Sequence, residues 1–190
     1  MSRRWLLAAI AAVMVSGSAR VHAEELAVPA VLQAELVAKV AAYDKNFAAR
    51  AGDRAHVLIV VKEENPDSSR FGTSMKGALE NLPFVGGLPH DEVIVAFSGA
   101  AQLAAACRSK RAAVVYLAPG LGDEIPRIRA ALEGTSVLSV TANAEDVAKG
   151  VVLGFDLVSG KPKIVVQLTQ AKKQDVAFRS ELLKLARVYE

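Results

Sequence analysis

The fold is decided near the end of the chain by three consecutive stretches, VVLGFDLV (151–158), SG (159–160) and KPKIVVQL (161–168). The outer two are rich in β-branched and apolar residues, and Ser-Gly between them is a pair typical of tight turns. The sequence therefore predicts a β-hairpin. Pro162 suits an edge strand or the start of a strand, so we expect the hairpin to add one antiparallel strand at an edge of a sheet.

A final helix is predicted after the hairpin. Phe178, Leu182, Leu185 and Tyr189 recur at spacings of four, three and four, which is the period of one helical face. We therefore expect Leu182 and Leu185 to lie in the core.

Upstream of the hairpin, apolar runs that predict strands alternate with stripes that predict helices. Strands are predicted over 56–61, 92–97, 112–118 and 136–141, and between them helices over 71–82, 99–110 and 125–132. The first helix is predicted as a single long element that ends near Gly52, with an apolar stripe formed by Leu32, Leu36, Val40, Tyr43 and Phe47. This order favours an α/β fold: a single three-layer domain with a mostly parallel sheet, helices on both faces, the antiparallel hairpin strand and the final helix.

The first 23 residues have the pattern of a secretory signal peptide. Arg3 and Arg4 precede an apolar run over 5–15, and Val21-His22-Ala23 places short apolar or small residues three and one positions before a cut. The segment is too short for a stable membrane span. We expect export and cleavage after Ala23, leaving one domain over 24–190; an uncleaved anchor helix is the alternative.

Removal of the signal changes the charge balance of the chain. The full sequence has 23 Lys and Arg against 20 Asp and Glu, and Arg3, Arg4 and Arg20 lie in the signal. The remaining chain is therefore formally neutral, which argues against a nucleic-acid partner, because such binding needs clustered positive charge. No direct membrane insertion is expected after cleavage.

Cys107 is the only cysteine in the sequence, so it cannot form an intramolecular disulfide. It lies in an alanine-rich helical run, where a buried free thiol is the expected state. A disulfide between two subunits, and with it a homodimer, is the alternative.

The sequence offers one candidate ligand loop and no catalytic constellation. In an open α/β sheet, ligands bind beyond the carboxyl ends of the strands. Ser98 follows one strand, where we also expect it to cap the next helix, and Gly120 and Gly122 follow another. Backbone N–H groups at such glycines can face an anion, although a tight turn explains the pattern equally well. We predict no catalytic residues, no cofactor site and no metal site, since no phosphate-binding loop, nucleophile elbow or metal-ligand spacing occurs.

Lys184 and Arg187 form a candidate partner surface on the predicted final helix. The alternative is an exposed helix face whose cations stabilise the helix C-terminus.

The C-terminal region also carries a resemblance. The hairpin followed by FRSELLKLA (178–186) resembles the YfiR-like periplasmic proteins, in which a turn and strand lead into a helix with a similar Ser-x-x-Leu-Leu-x-Leu-Ala run. The resemblance implies a periplasmic α/β domain without catalytic residues. The best-known member of the family restrains a membrane-bound diguanylate cyclase by binding its periplasmic part. The chain departs from the family pattern at Ala51-Gly52-Asp53, where Trp-Pro is common, and it lacks the paired cysteines that would support redox control.

Two functions therefore stand side by side. The first is an exported, non-enzymatic regulatory protein that binds the periplasmic part of a membrane sensor such as a diguanylate cyclase. The second is a periplasmic module that binds a small ligand in the crevice at the carboxyl ends of the strands.

Overall fold

In the computed structural model, residues 28–190 are described, and the predicted signal peptide over 1–23 lies outside them. The helices are Ala30–Ala41 (α1), Phe47–Ala51 (α2), Pro66–Glu80 (α3), Ala100–Ser109 (α4), Ile125–Leu132 (α5), Ala144–Ala148 (α6), Leu168–Lys173 (α7) and Ser180–Leu183 (α8). The strands are Ala55–Val61 (β1), His90–Ala96 (β2), Ala112–Leu117 (β3), Leu138–Thr141 (β4), Leu153–Val158 (β5), Lys161–Gln167 (β6) and Arg187–Tyr189 (β7). Within this part of the chain, no helix is both long and apolar enough to cross a bilayer.

One seven-stranded sheet organises the molecule, in the order β2-β1-β3-β4-β5-β6-β7. The first five strands are parallel, β5 and β6 are antiparallel, and β7 is parallel to β6. The order of the first five strands is that of a doubly wound fold, which reverses direction between β1 and β3. The predicted fold class, an α/β domain with a mostly parallel sheet, is confirmed.

Two hydrophobic cores cover the two faces of the sheet. Alternate residues of β1 point in opposite directions, so Val57 and Ile59 enter one core while Leu58 and Val60 enter the other. The first core is completed by α1 and α3, and the second by α4 and α5. A central strand covered on both sides must be apolar throughout, which explains the continuous apolar runs in the sequence.

The long first helix is interrupted, contrary to the sequence prediction. It ends at Ala41, and the chain turns before α2 begins at Phe47. The cause is Asp44, whose buried carboxylate accepts hydrogen bonds from the backbone N–H groups of Asn46 (3.1 Å) and Ala177 (2.9 Å). Such bonds compete with the helical pattern. Tyr43 consequently lies exposed, while Phe47 is buried as predicted.

Ser98 does not cap α4. The N-cap residue is Gly99, which has φ +131° and no side-chain cap. A positive φ of this size favours glycine, so the backbone conformation places the helix start one residue after the expected hydroxyl.

The predicted hairpin is present, with Ser159 (φ +51°) and Gly160 (φ +74°) between β5 and β6. Two successive positive φ values are what a two-residue type I′ turn requires. The hairpin strand β6 is not the outermost strand, because β7 pairs with it over residues 165–167. Pro162 lies beyond this pairing, in the half of β6 that β7 does not reach.

The final helix is shorter than predicted and ends at Leu183. Leu182 is 2% exposed, in agreement with the prediction, whereas Leu185 is 66% exposed and the prediction that it lies in the core is wrong. Beyond Leu185 the chain forms strand β7, whose backbone makes hydrogen bonds with the backbone of β6. Strand pairing therefore overrides the helical period at the end of the chain.

Candidate functional site

At the topological switch point, between the carboxyl ends of β1 and β3, the two loops that follow these strands approach each other. The loop after β1 brings Asn65 against Gly120 in the loop after β3: a Cβ at Gly120 would lie only 2.8 Å from the Asn65 side-chain nitrogen. The Asn65 side-chain oxygen accepts hydrogen bonds from the N–H groups of Asp67 and Ser68 at the start of α3. The N-cap of α3 therefore packs against the loop that contains Gly120.

A cavity of about 380 Å³ lies beside it, at the carboxyl ends of β3 and β4; we call it the loop cavity. Gly120 and Gly122 line it, as the ligand-loop prediction requires, but Ser98 does not. The remaining lining includes Ala142, Ala144 and Phe155 as well as four carboxylates and one ammonium group, from Asp123, Glu145, Asp146, Asp156 and Lys149.

Asp146 and Lys149 form an ion pair in the lining of the loop cavity. The Asp146 carboxylate is buried, accepts from the Thr141 hydroxyl (3.2 Å) and pairs with the Lys149 ammonium (3.2 Å). A Cβ at Gly122 would lie 3.5 Å from the carboxylate and 3.6 Å from the ammonium, so the glycine leaves the pair open to the cavity.

Groups with perturbed pKa values lie elsewhere in the described residues. Burial raises the pKa of Cys107 to about 11 and that of Tyr116 well above its usual value; the Tyr116 hydroxyl donates to the buried Gln33 side chain. A hydrogen bond with Glu80 raises the pKa of Lys76 on the surface of α3. None of these groups lines the loop cavity. Residues 28–190 also contain no group of three His, Cys, Asp or Glu side chains placed to hold a metal ion.

The two residues of the predicted partner surface have different surroundings. Arg187 pairs with Asp156 across the sheet (Nη2 to Oδ2, 2.9 Å) and lies over the Tyr189 ring, 5.7 Å from its centroid. It therefore helps hold β7 against the hairpin. Lys184 is exposed at the turn that leads out of α8.

Next to Lys184, exposed apolar side chains collect around the hairpin tip. Val165 lies opposite Arg187, so the parallel register places Leu185 beside Lys163, whose ammonium donates to the Leu185 carbonyl (2.6 Å). Leu157 and Val158 are exposed at the end of β5. We call this area the C-terminal edge surface; it comprises Leu157, Val158, Lys161, Lys163, Lys184 and Leu185.

A buried ion pair, for which no periodic pattern in the sequence is a signal, anchors the segment that enters α8. Arg50 pairs with Asp44 (2.7 Å), and the two side chains are 3% and 0% exposed. Arg50 also donates to the Asp175 carbonyl (2.8 Å), and Asp44 accepts from Ala177 N–H. We call these contacts the clasp, because they fasten the α1–α2 turn to the chain just before α8.

Comparison with solved structures finds the same fold in proteins of low sequence identity. An ABC domain from Streptococcus pneumonia, solved in complex with L-Trp, has a TM-score of 0.59 at 11% identity over 85% of this chain and 62% of that one. A conserved domain protein from Vibrio cholerae O1 biovar El Tor has a TM-score of 0.55 at 14% identity over 85% and 60%. A ligand-free, open substrate-binding protein with adhesive properties from Clostridium difficile has a TM-score of 0.56 at 13% identity over 77% and 58%.

These identities show a shared fold and no more, and the chain spans about three fifths of the length of each of these structures. No curated protein matches the sequence with significance. The YfiR/HmsC-like family model matches residues 30–187, which include every helix and nearly every strand residue described above. The chain therefore belongs to the YfiR/HmsC-like family.

Proposed function

We propose that the protein is an exported regulator without catalytic activity, which restrains a membrane-bound signalling protein by binding its periplasmic part. The family to which the chain belongs supports a periplasmic regulatory role. A diguanylate cyclase is the target that this family favours. A homodimer is compatible with this proposal, and light scattering of the purified protein would test it.

The C-terminal edge surface is the observation that carries the proposal. Leu157, Val158 and Leu185 are large apolar side chains left exposed near the hairpin tip, with Leu157 and Val158 on opposite faces of β5. Lys161 lies opposite Val158, and Lys163 and Lys184 lie beside Leu185, so the face of Val158 suits a partner that offers apolar side chains within an acidic rim. The free half of β6 lies in the same area and leaves backbone groups for a partner to use.

The test measures cyclic di-GMP in cells from which the gene has been deleted, and in the same cells complemented with one of three forms: wild type, Leu185→Glu or Val31→Glu. Val31 is a matched control, because it is 61% exposed on α1, far in sequence from the surface. We expect deletion to raise cyclic di-GMP, and wild type and Val31→Glu to restore the lower level. Leu185→Glu should fail to restore it while retaining its melting temperature.

Two results would contradict the proposal. If deletion leaves cyclic di-GMP unchanged, the cyclase is not the target. If Leu185→Glu restores the level as well as Val31→Glu does, the C-terminal edge surface is not the contact.

A second candidate function is small-ligand binding in the loop cavity, which the position of Gly120 and Gly122 at the strand ends favours. The solved structures with a similar fold include a substrate-binding protein and a domain in complex with L-Trp. Amino acids, L-Trp among them, are thus the first ligands to titrate. A ligand that raises the melting temperature of wild type but not of Gly122→Leu, whose side chain would fill the cavity, would support this function over the first.

A further inference from the structure

A second cavity, of about 390 Å³, lies at the amino ends of β3 and β4, the end of the sheet opposite to the loop cavity. Arg50, Arg108 and Arg111 line it, and among its described lining residues Asp175 alone carries a carboxylate. We call it the arginine cavity.

Two of the three guanidinium groups have few partners. Arg50 belongs to the clasp and also donates to Ser136 Oγ (3.1 Å). Within residues 28–190, by contrast, neither Arg108 nor Arg111 forms an ion pair. Arg108 makes one long contact with Thr135 Oγ1 (3.3 Å), and the Arg111 guanidinium makes no hydrogen bond in the described part of the chain. Both arginines are exposed, so most of the five N–H donors of each guanidinium face solvent and are accessible to a ligand.

Arg108 and Arg111 have no counter-ion among the described acidic groups that line the arginine cavity. The Asp175 carboxylate is bound by neutral donors, Asn46 Nδ2 (2.9 Å) and Ser136 Oγ (3.0 Å). Cys107 also lines the cavity and is 2% exposed, and because burial raises its pKa to about 11 the thiol is uncharged at neutral pH.

The Thr135 hydroxyl, beside Arg108, indicates the kind of ligand that this cavity suits. Thr135 is 5% exposed; its oxygen accepts from Arg108, but its O–H finds no acceptor among the described residues. An acceptor oxygen in the cavity would satisfy the Thr135 proton and the guanidinium donors together.

The simplest competing explanation is that Arg108 and Arg111 stabilise the C-terminus of α4, where basic side chains favour the helix dipole. That explanation accounts for positive charge near the helix end. It does not account for Thr135, which lies on the separate segment before β4. Nor does it account for arginine at position 111, directly after the C-cap of α4, where φ is +49° and glycine would adopt the backbone conformation with less strain.

We propose that the arginine cavity binds a small oxyanion, a phosphate or carboxylate group on a small molecule, through Arg108, Arg111 and the Thr135 hydroxyl. Guanidinium groups bind the paired oxygens of both anions with two parallel hydrogen bonds. The volume lies within the usual range for small-molecule sites, so the anion can carry an organic group. This inference does not depend on the function proposed above, because it concerns the other end of the sheet.

The experiment compares three proteins in thermal melts: wild type, Arg108→Gln/Arg111→Gln, and Arg70→Gln/Arg127→Gln. The last is a matched control, since it removes two exposed arginines on α3 and α5 and gives the same net charge. Inorganic phosphate and succinate are titrated separately, each against sodium chloride of equal ionic strength. At ten times the dissociation constant we expect a rise of about 3–6 °C for wild type and the control. The Arg108→Gln/Arg111→Gln variant should show no rise beyond that in chloride.

The proposal fails if neither anion raises the melting temperature of wild type above the chloride value across the millimolar range. It fails also if all three proteins respond equally, because that is a general salt effect. Should the double variant not fold, Arg111→Gln replaces it, since that guanidinium makes no hydrogen bond within the described residues. Calorimetric titration should then show binding weakened about tenfold or more, the usual cost of losing a charged hydrogen bond. Unchanged affinity would overturn the assignment.

Discussion

At the residue scale, two leucines of the C-terminal segment differ in burial. Leu182 and Leu185 lie three positions apart within the family motif, yet the first is enclosed by the core and the second is exposed to solvent. The difference arises because the helix ends between them. Their energetic roles therefore differ, although the sequence presents them alike.

We predict that Leu182→Ala lowers the free energy of unfolding by about 2–5 kcal/mol, the range for a leucine lost from a core. Leu185→Ala should change it by less than about 0.5 kcal/mol, because an exposed side chain makes few contacts. Urea denaturation of both variants measures the difference. Equal losses would show that Leu185 is buried in solution, contrary to the structure.

We predict a large loss of stability when the clasp is broken. Asp44→Ala leaves the Arg50 guanidinium buried without its carboxylate, and such losses are about 3–5 kcal/mol. The control is Glu35→Ala, which removes a partner of Lys39 in an exposed pair on α1, worth at most about 1 kcal/mol. If the two variants unfold at the same urea concentration, the clasp contributes little.

We predict that Cys107 makes the protein less stable at alkaline pH. Burial raises its pKa from 9.0 to about 11 in the folded state, so only unfolding allows the thiol to ionise between these values. The full stability is present below pH 9 and is lost as pH rises through 11, which amounts to about 1.4 kcal/mol by pH 10. Comparison with Cys107→Ala between pH 8 and 10.5 isolates this contribution, because the variant has no thiol. Parallel curves for the two proteins would contradict the prediction.

At the element scale, local patterns identified the strands of the parallel sheet well. The runs beginning at His56 and Ala112 are correct to within two residues, because β1 and β3 are buried on both faces and their sequences are almost wholly apolar. The run beginning at Glu92 misses the first two residues of β2, His90 and Asp91, which are polar residues of an edge strand. Errors arose where distant residues decide the outcome. Asp44 ends α1 by binding Ala177, and β7 forms because β6 offers it an edge; neither partner is visible in a local window.

The same distinction applies to the candidate site. Gly120 and Gly122 follow a well-defined strand, so their place at a cavity could be predicted. Ser98 follows β2, and its exclusion from that cavity depends on the order of strands, which periodicity does not contain. Arg108, Arg111 and Thr135 meet only because α4 ends beside the start of β4, and no sequence spacing brings them together.

We predict that the hairpin turn between β5 and β6 responds oppositely to two substitutions. Ser159 has a positive φ that costs energy for a side chain, so Ser159→Gly should leave stability unchanged or raise it by up to about 1 kcal/mol. Gly160→Val should lower stability by about 1–3 kcal/mol, because a β-branched residue is strained at φ +74°. Thermal melts of the two variants test this. A stable Gly160→Val protein would mean that the turn adopts another type.

At the scale of the whole molecule, the two cavities differ in the charge that predominates in their linings. The loop cavity at one end of the sheet collects carboxylates, and the arginine cavity at the other end collects guanidinium groups. The two ends can therefore interact with ligands of opposite charge, although the domain as a whole is close to neutral.

We predict that the exported protein begins at Glu24, because Val21-His22-Ala23 has the residue pattern recognised before a cleavage site. Intact-mass measurement of protein purified from the periplasm tests this directly. A mass that still includes residues 1–23 would indicate an uncleaved anchor.

The clasp has a consequence for how the chain acquires its structure. Asp44 binds the N–H group of Ala177, 133 positions later, and the Tyr43 carbonyl accepts from Arg179 N–H (2.8 Å). A chain that emerges from its N-terminus first cannot make these contacts until almost its whole length is free. Closing so long a loop is slow, and it delays the native state past the end of synthesis. The α1–α2 corner therefore cannot close onto the segment before α8 until residues 177–179 have been made.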